Sequence, residues 1–149
     1  MIKACKIIIN VVFTVLIVLL VGYAILRVTG ILTTYQVKSG SMEGNIHVGD
    51  YVVAFKQSSY KEGDAITYKQ NDYYVTHRII KIENDKIITK GDANNDPDDE
   101  ISINQVMGKV ILYGGLVNII FNYKLAIVAI MLMIYLFSCY IEYLEKKEK

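Results

Sequence analysis

Side chains able to attack a carbonyl or move a proton occur in the order Ser, His, Asp through the polar middle of this chain. Ser41 sits in Ser39-Gly-Ser-Met-Glu-Gly44, and His77 in Tyr73-Tyr-Val-Thr-His-Arg-Ile79. A run of carboxylates follows in Asp92-Ala-Asn-Asn-Asp-Pro-Asp-Asp-Glu100. A serine hydroxyl is a weak nucleophile until a neighbouring base takes its proton. It must also protrude from tight backbone, which Gly40 permits, and Ser39 offers a second hydroxyl toward the same point. With a period of two, Tyr73, Val75, His77 and Ile79 share one face of a strand, so the imidazole projects among apolar neighbours from a rigid element. That placement suits a general base of fixed orientation. The acidic stretch holds carboxylates able to orient such a histidine. Each signal alone also reads as ordinary structure: a serine-rich turn, a packed histidine, a solvated loop. Their order within one small domain is what gives them weight.

Metal chemistry fits the same residues poorly. Asp92, Asn94 and Asp96 fall at positions 1, 3 and 5 of a calcium-binding EF-hand loop, but position 6, which needs glycine, is Pro97, and position 12 is Ile103. The middle of the chain has no cysteine, and histidine is scarce, so a transition-metal site is poorly supplied. His47, the other histidine, leads into a strand and reads as a surface loop residue.

The elements that must position these groups are legible in the hydropathy. The chain has 149 residues and is 53% hydrophobic, above the roughly 45–50% of soluble domains, and the excess sits at the two ends. Ile7–Leu26 carries no charge and is long enough at 1.5 Å per residue to cross the ~30 Å hydrocarbon core. Its length, and the Arg27-Val-Thr-Gly30 that follows, argue for an uncleaved anchor rather than a signal peptide. Leu125–Ile141 is a second uncharged run, and the preceding GGLVNIIFNYK adds apolar surface expected to lie in the membrane interface. Cys5 and Cys139, near the ends of these runs, read as small buried residues and not as a disulfide framework. Net charge near zero gives no reason to expect nucleic acid.

Lys3 and Lys6 precede the first run, and Lys146, Lys147 and Lys149 follow the second. Basic flanks predict both termini in the cytoplasm. The expected organisation is residues 1–29 as an N-terminal membrane anchor (span about 7–26), residues 30–115 as an extracytoplasmic β-rich domain, and residues 116–149 as a C-terminal transmembrane helix (span about 120–141) with a short basic cytoplasmic tail. Strands are predicted at Tyr51–Phe55, Ala65–Tyr68, Tyr73–Ile82, Lys86–Lys90 and Gln105–Leu112. Asn71-Asp72 and Asn84-Asp85 are expected as hairpin loops, since both residue types tolerate positive φ. The fold class is therefore mainly β: a small antiparallel β catalytic domain tethered by an N-terminal and a C-terminal transmembrane helix.

The stretches SGSME at 39–43, NIHVGDYVV at 45–53, THRI at 76–79 and KGDANN at 90–95 resemble the signal peptidase I family, peptidase family S26. The likeness is to its Ser-His branch, typical of the endoplasmic reticulum, of archaea and of Gram-positive sporulation-type enzymes, in which histidine stands where many bacterial members have lysine. It covers residues ~30–118, including Val106-Met-Gly-Lys-Val110 and Leu116-Val-Asn118. The resemblance implies that Ser41 is the nucleophile and His77 the general base. It implies Asp98 as the acid that orients His77, with Asp92 as a supporting residue or alternative acid and Asp96 and Asp99 close by. The backbone N–H of Ser41 and the hydroxyl of Ser39 would form the oxyanion hole.

The same resemblance implies a serine endopeptidase that removes N-terminal signal peptides from translocated preproteins after small residues at −1 and −3. It implies no metal or organic cofactor. Signal-peptide-bearing preproteins and the lipid bilayer are the implied partners, nucleic acid is not, and further membrane subunits stay open. The implied location is the cell membrane, multi-pass. Two departures stand out. Gly44 replaces the proline usual after Ser-Met-Glu, and Asp99-Glu100-Ile101 stands where proline is frequent. Two other functions remain in view. One is a catalytically silent, membrane-anchored β domain that recruits partners. The other is a peptidase of the self-cleaving repressor type, against which the two spans and a histidine base count.

Overall fold

A computed structural model describes Ile2–Lys147. Helix α1 covers Ile2–Val28 and helix α3 covers Lys124–Lys147. Most of both helices forms one compact unit, and Leu26–Phe121 forms a second. The apolar stretches Ile7–Val28 and Lys124–Leu144 have mean hydropathies of 2.7 and 2.2 and are long enough to cross a membrane. Most of their apolar side chains are exposed, from Ile7 and Val18 on α1 to Leu125 and Phe137 on α3, apart from a half-buried stripe where Phe13 stacks on Tyr135. A helix apolar all round needs a hydrocarbon environment, and these side chains find no protein core. Cys139 is free and exposed on α3, not buried as its type suggests; the side chain of Cys5 lies outside the described residues. The second candidate span begins at Lys124, because a separate helix α2, Gly115–Asn122, precedes it.

The unit between is a seven-stranded antiparallel sheet. Its strands are β1 (Leu32–Gln36), β2 (Tyr51–Phe55), β3 (Ala65–Gln70), β4 (Tyr73–Glu83), β5 (Lys86–Lys90), β6 (Ile101–Ser102) and β7 (Val106–Tyr113), in the order β1-β2-β7-β3-β4-β5-β6. The five predicted strands are all present, β2 and β5 with the predicted ends. The hairpins β3–β4 and β4–β5 turn on two residues each, and Asn71 and Asn84 take φ of 52° and 55°, as asparagine permits and most residues do not. β1 and β6 are additional. Leu32-Thr-Thr-Tyr-Gln lacks an apolar alternation to announce it, and pairing with β2 makes it a strand.

Three register shifts, at Val53/Ala54, Thr67/Tyr68 and Ile79/Lys81, bend the sheet. The curl brings Tyr35 of β1 within 4.5 Å, ring to ring, of Tyr74 on β4, although three strands lie between them in the sheet. Two apolar clusters fill the interior. Ile66, Tyr68, Ile79, Ile87, Ile101 and Val106 form one. Met42, Ile46 and Val52 form the other, packed on by Tyr35, Val37, Ala65 and Val110. At the far end of the unit, Asn118 of α2 accepts the Tyr51 N–H at 2.7 Å and donates to Asp50 at 2.6 Å, tying α2 to the start of β2.

β7 is the last strand in the chain, yet it lies between β2 and β3. Its close approach to β2 depends on Gly108: a Cβ there would lie 2.7 Å from the Phe55 carbonyl carbon and 2.9 Å from its nitrogen. Backbone atoms in a ladder cannot give way as a side chain can. Gly108→Ala is expected to lower stability by about 1–3 kcal/mol, the range for overpacking a buried site. Denaturant unfolding of the full chain in detergent checks this, and a change under about 0.5 kcal/mol would contradict the close approach.

Candidate active site

The loop that carries Ser41 leaves β1 and returns to β2 through a closed neck. Val37 N–H donates to Asp50 O at 2.8 Å, and Gly49 N–H donates to Val37 O at 2.9 Å. Within the loop Gly40–Met42 forms a 3-10 turn. Met42 and Ile46 are 1% exposed and sink into the second apolar cluster, each contributing ~1.5–3 kcal/mol of burial. The loop is thus pegged to the sheet by apolar side chains on either side of its polar tip, and Ser41 is left half-buried at that tip. Gly44, where the family resemblance leads one to expect proline, has φ of +102°. A proline ring, fixed near −65°, cannot take that turn.

His77 lies on β4 opposite Ile66 of β3 and is 7% exposed. Its Nε2 lies 2.9 Å from Ser41 Oγ, and its Nδ1 lies 2.6 Å from Asp98 Oδ2. A carboxylate oxygen only accepts, so the Nδ1 proton points to Asp98. In the neutral ring Nε2 is then the acceptor facing the serine hydroxyl. Ser41, His77 and Asp98 stand in one hydrogen-bonded series, 36 and 21 residues apart in sequence. Ser39 Oγ lies 3.4 Å from Ser41 Oγ. His47 is elsewhere: its backbone N–H donates to Asp50, and its ring sits 3.8 Å from Glu43 and 3.7 Å from Asp50.

Asp92 is held apart from the histidine. It forms a two-pronged ion pair with Arg78, Nε to Oδ1 at 2.8 Å and Nη2 to Oδ2 at 2.7 Å, and it accepts from Asn45 at 3.0 Å. The Arg78 hydrogen bonds hold its carboxyl below the ordinary value of 3.8; burial opposes them and Asn45 assists. The pair fastens the loop after β5 to β4 on one side and, through Asn45, to the serine loop on the other. Asp96 and Asp99 are exposed.

Asp98 has further partners that the sequence reading passed over. Thr89 Oγ1 donates to Asp98 Oδ2 at 2.7 Å, and Tyr68 OH donates toward the same oxygen at 3.4 Å. The two hydroxyl oxygens are 3.2 Å apart. Burial pushes the Tyr68 phenol up to about 12, with Thr89 opposing and Asp98 adding to the rise, so it keeps its proton through neutral pH. Leaving such a buried hydroxyl unpaired costs about 1–3 kcal/mol. The signal for both lay in the alternation: Ile66 and Tyr68, and Ile87 and Thr89, are buried pairs two residues apart, so each hydroxyl stands where the core face calls for an apolar side chain.

A groove of about 570 Å³ runs beside Ser41 and His77, between the Tyr35–Lys38 segment and Tyr73–Thr76. β1 lies at the edge of the sheet, and β4 has β5 beside it only from Arg78 onward. Two strand edges therefore border the groove. A nucleophile, base and orienting carboxylate in series beside an extended cleft can perform acyl transfer on a peptide.

The chain belongs to the family described as signal peptidase, peptidase S26, which it matches over residues 8–111, more than half its length. It is accordingly a peptidase, with two apolar helices that associate it with a membrane. No curated protein sequence matches it.

Two outcomes test the loop architecture. A Cβ at position 91 would lie 2.5 Å from Ser41 O and 2.8 Å from Asn94 Nδ2, so Gly91→Ala should push the serine loop off its contact. Peptidase kcat is expected to fall about tenfold or more, since misplacement by an ångström is costly, while circular dichroism stays that of the parent. The second outcome concerns acid. Asp92 binds its proton less readily folded than unfolded, so its contribution to stability is complete above about pH 3.8 and is lost as pH falls through the lower folded value. Thermal unfolding of Asp92→Asn should show a stability deficit at neutral pH that shrinks below that point; a deficit unchanged with pH would contradict the ion-pair account.

Proposed function

We propose that the protein is a membrane-bound signal peptidase I of the Ser-His type. It would remove N-terminal signal peptides from translocated preproteins, cutting after small residues at −1 and −3. The observation that carries this reading is the series Ser41 Oγ–His77 Nε2 at 2.9 Å and His77 Nδ1–Asp98 Oδ2 at 2.6 Å in a member of this family.

In this mechanism His77 takes the Ser41 proton as the hydroxyl oxygen attacks the scissile carbonyl. The tetrahedral oxyanion accepts from the Ser41 N–H and the Ser39 hydroxyl. The first N–H groups of a helical turn lack partners within it, which leaves the Ser41 N–H suited to the task. His77 then returns the proton to the leaving amine, and water repeats the cycle on the acyl-enzyme. Asp98 holds the imidazole in the tautomer that keeps Nε2 able to accept. The preprotein segment lies extended between the edges of β1 and β4, where main-chain bonds give affinity and shallow pockets admit only small side chains. Residues 30–115 face the extracytoplasmic side, with both termini in the cytoplasm, following the basic flanks of the spans. Ser41 lies 13 residues beyond the end of α1 at Val28, so it meets a cleavage site that is itself tethered to the bilayer.

The deciding experiment reconstitutes the full chain in liposomes with a precursor carrying an Ala-x-Ala site. Wild type is expected to cleave at that site, and Ser41→Ala and His77→Ala to abolish cleavage. Asp98→Asn should lower kcat by about 10³–10⁴, with Asp92→Asn far milder. Cleavage that survives Ser41→Ala would refute the nucleophile. Wild type inert on several precursors would favour a silent domain that recruits partners.

A further inference from the structure

His77 occupies the middle of three adjacent strands, and the strands on both sides send a hydroxyl to the carboxylate behind it. Tyr68 comes from β3 and Thr89 from β5; they are 1% and 0% exposed. Around them the core is aliphatic: Ile66, Ile79, Ile87, Ile101 and Val106. For packing alone, phenylalanine and valine would fill the same volumes. Yet the hydroxyls lie 3.4 and 2.7 Å from Asp98 Oδ2, the oxygen that His77 Nδ1 reaches at 2.6 Å.

Asp98 needs such help. It stands in an irregular loop with Asp96, Asp99 and Glu100 around it, and the terminal torsion of an aspartate is broad. Its backbone N–H is fixed to Thr89 O at 2.8 Å, which sets where the side chain starts but not which oxygen turns to the imidazole. Two hydroxyl donors aimed at one oxygen settle that choice.

We propose that Thr89 and Tyr68 are positioning residues for the peptidase reaction: their hydroxyls lock Asp98 Oδ2 against His77 and so hold the imidazole for Ser41. The proposal rests on the Ser41–His77–Asp98 reading given above. Neither residue touches substrate. Their loss should therefore lower kcat and leave KM alone, and Asp98 should be required for the effect.

The test uses Thr89→Val, which keeps the shape and removes the hydroxyl, Thr89→Ser, which restores the hydroxyl, and Tyr68→Phe as an independent variant should Thr89→Val fail to fold. The full chain in detergent micelles is assayed on an Ala-x-Ala precursor. In parallel the imidazole protons are followed by nuclear magnetic resonance, which is simplified by there being only 2 histidines. Thr89→Val is expected to lower kcat about tenfold with KM within twofold, a loss of one positioning hydrogen bond. Tyr68→Phe should do the same more weakly, in line with its longer contact. Thr89→Ser should recover most of the activity. In an Asp98→Ala background Thr89→Val should cost nothing further. The His77 Nδ1–H resonance should broaden or move in Thr89→Val and keep its position in Thr89→Ser.

Unchanged kcat and an unmoved resonance in Thr89→Val and Tyr68→Phe would overturn the proposal. So would a change in KM alone, or a Thr89→Val loss that persists without Asp98. If wild type cleaves no precursor but the Nδ1–H resonance still answers to Thr89→Val and recovers in Thr89→Ser, the hydroxyl clamp stands and the peptidase reading falls.

Discussion

A single backbone hydrogen bond, Ala93 N–H to Ser41 O at 2.9 Å, joins the loop that carries Ser41 to the loop that carries Asp98. It exists because position 91 carries no Cβ. Any side chain there would collide with the Ser41 carbonyl, and the loop after β5 would stand off from the loop after β1. Everything around the bond converges on keeping it. Met42 and Ile46 hold one loop down. Arg78 grips Asp92 at the root of the other, and Asn45 bridges Asp92 back to the first. A separation of 2.9 Å between hydroxyl and imidazole thus follows from backbone geometry and apolar anchoring, and the serine and histidine need not hold each other.

The two carboxylates of the acidic loop divide the work through their surroundings. Asp92 meets a guanidinium, a strong and directional partner, and serves as a fastening. Among the described residues Asp98 meets no guanidinium or ammonium; its side-chain partners are two hydroxyls and an imidazole. An aspartate committed to a cation would have little left to offer a histidine. Separating the roles by six residues lets one loop do both.

Much of this was legible in the sequence, because period-two patterning and asparagine turns are local signals. Five of the seven strands and both hairpin loops followed from them, and long uncharged runs announced the two apolar helices. β1 was hidden, since Leu32-Thr-Thr-Tyr-Gln looks like a polar connection until β2 pairs with it. The site was visible as residue types in order; the assignment of Ser41, His77 and Asp98 to their roles came from the family resemblance and not from the residues alone. Nothing local separates Asp98 from Asp96 or Asp99; curvature of the sheet and the bond from Asp98 N–H to Thr89 O make the difference. Thr89 and Tyr68 were hidden for another reason. A buried hydroxyl is recognisable only when its acceptor is known, and the acceptor comes from a loop 9 and 30 residues further on.

The strand order carries a consequence for the timing of biogenesis. The serine loop belongs to the β1–β2 ladder and the histidine to β3–β4, and within the sheet only β7 joins the two. A chain still being synthesised, with residues up to about 105 emerged, already owns every reactive side chain but lacks the strand that sets them in register. Pairing of such sequence-distant segments is slow and comes late. Until β7 pairs with β2 and β3, no ladder of the sheet links the serine loop to the histidine strand. The last strand of the sheet is thus the one that joins its two halves.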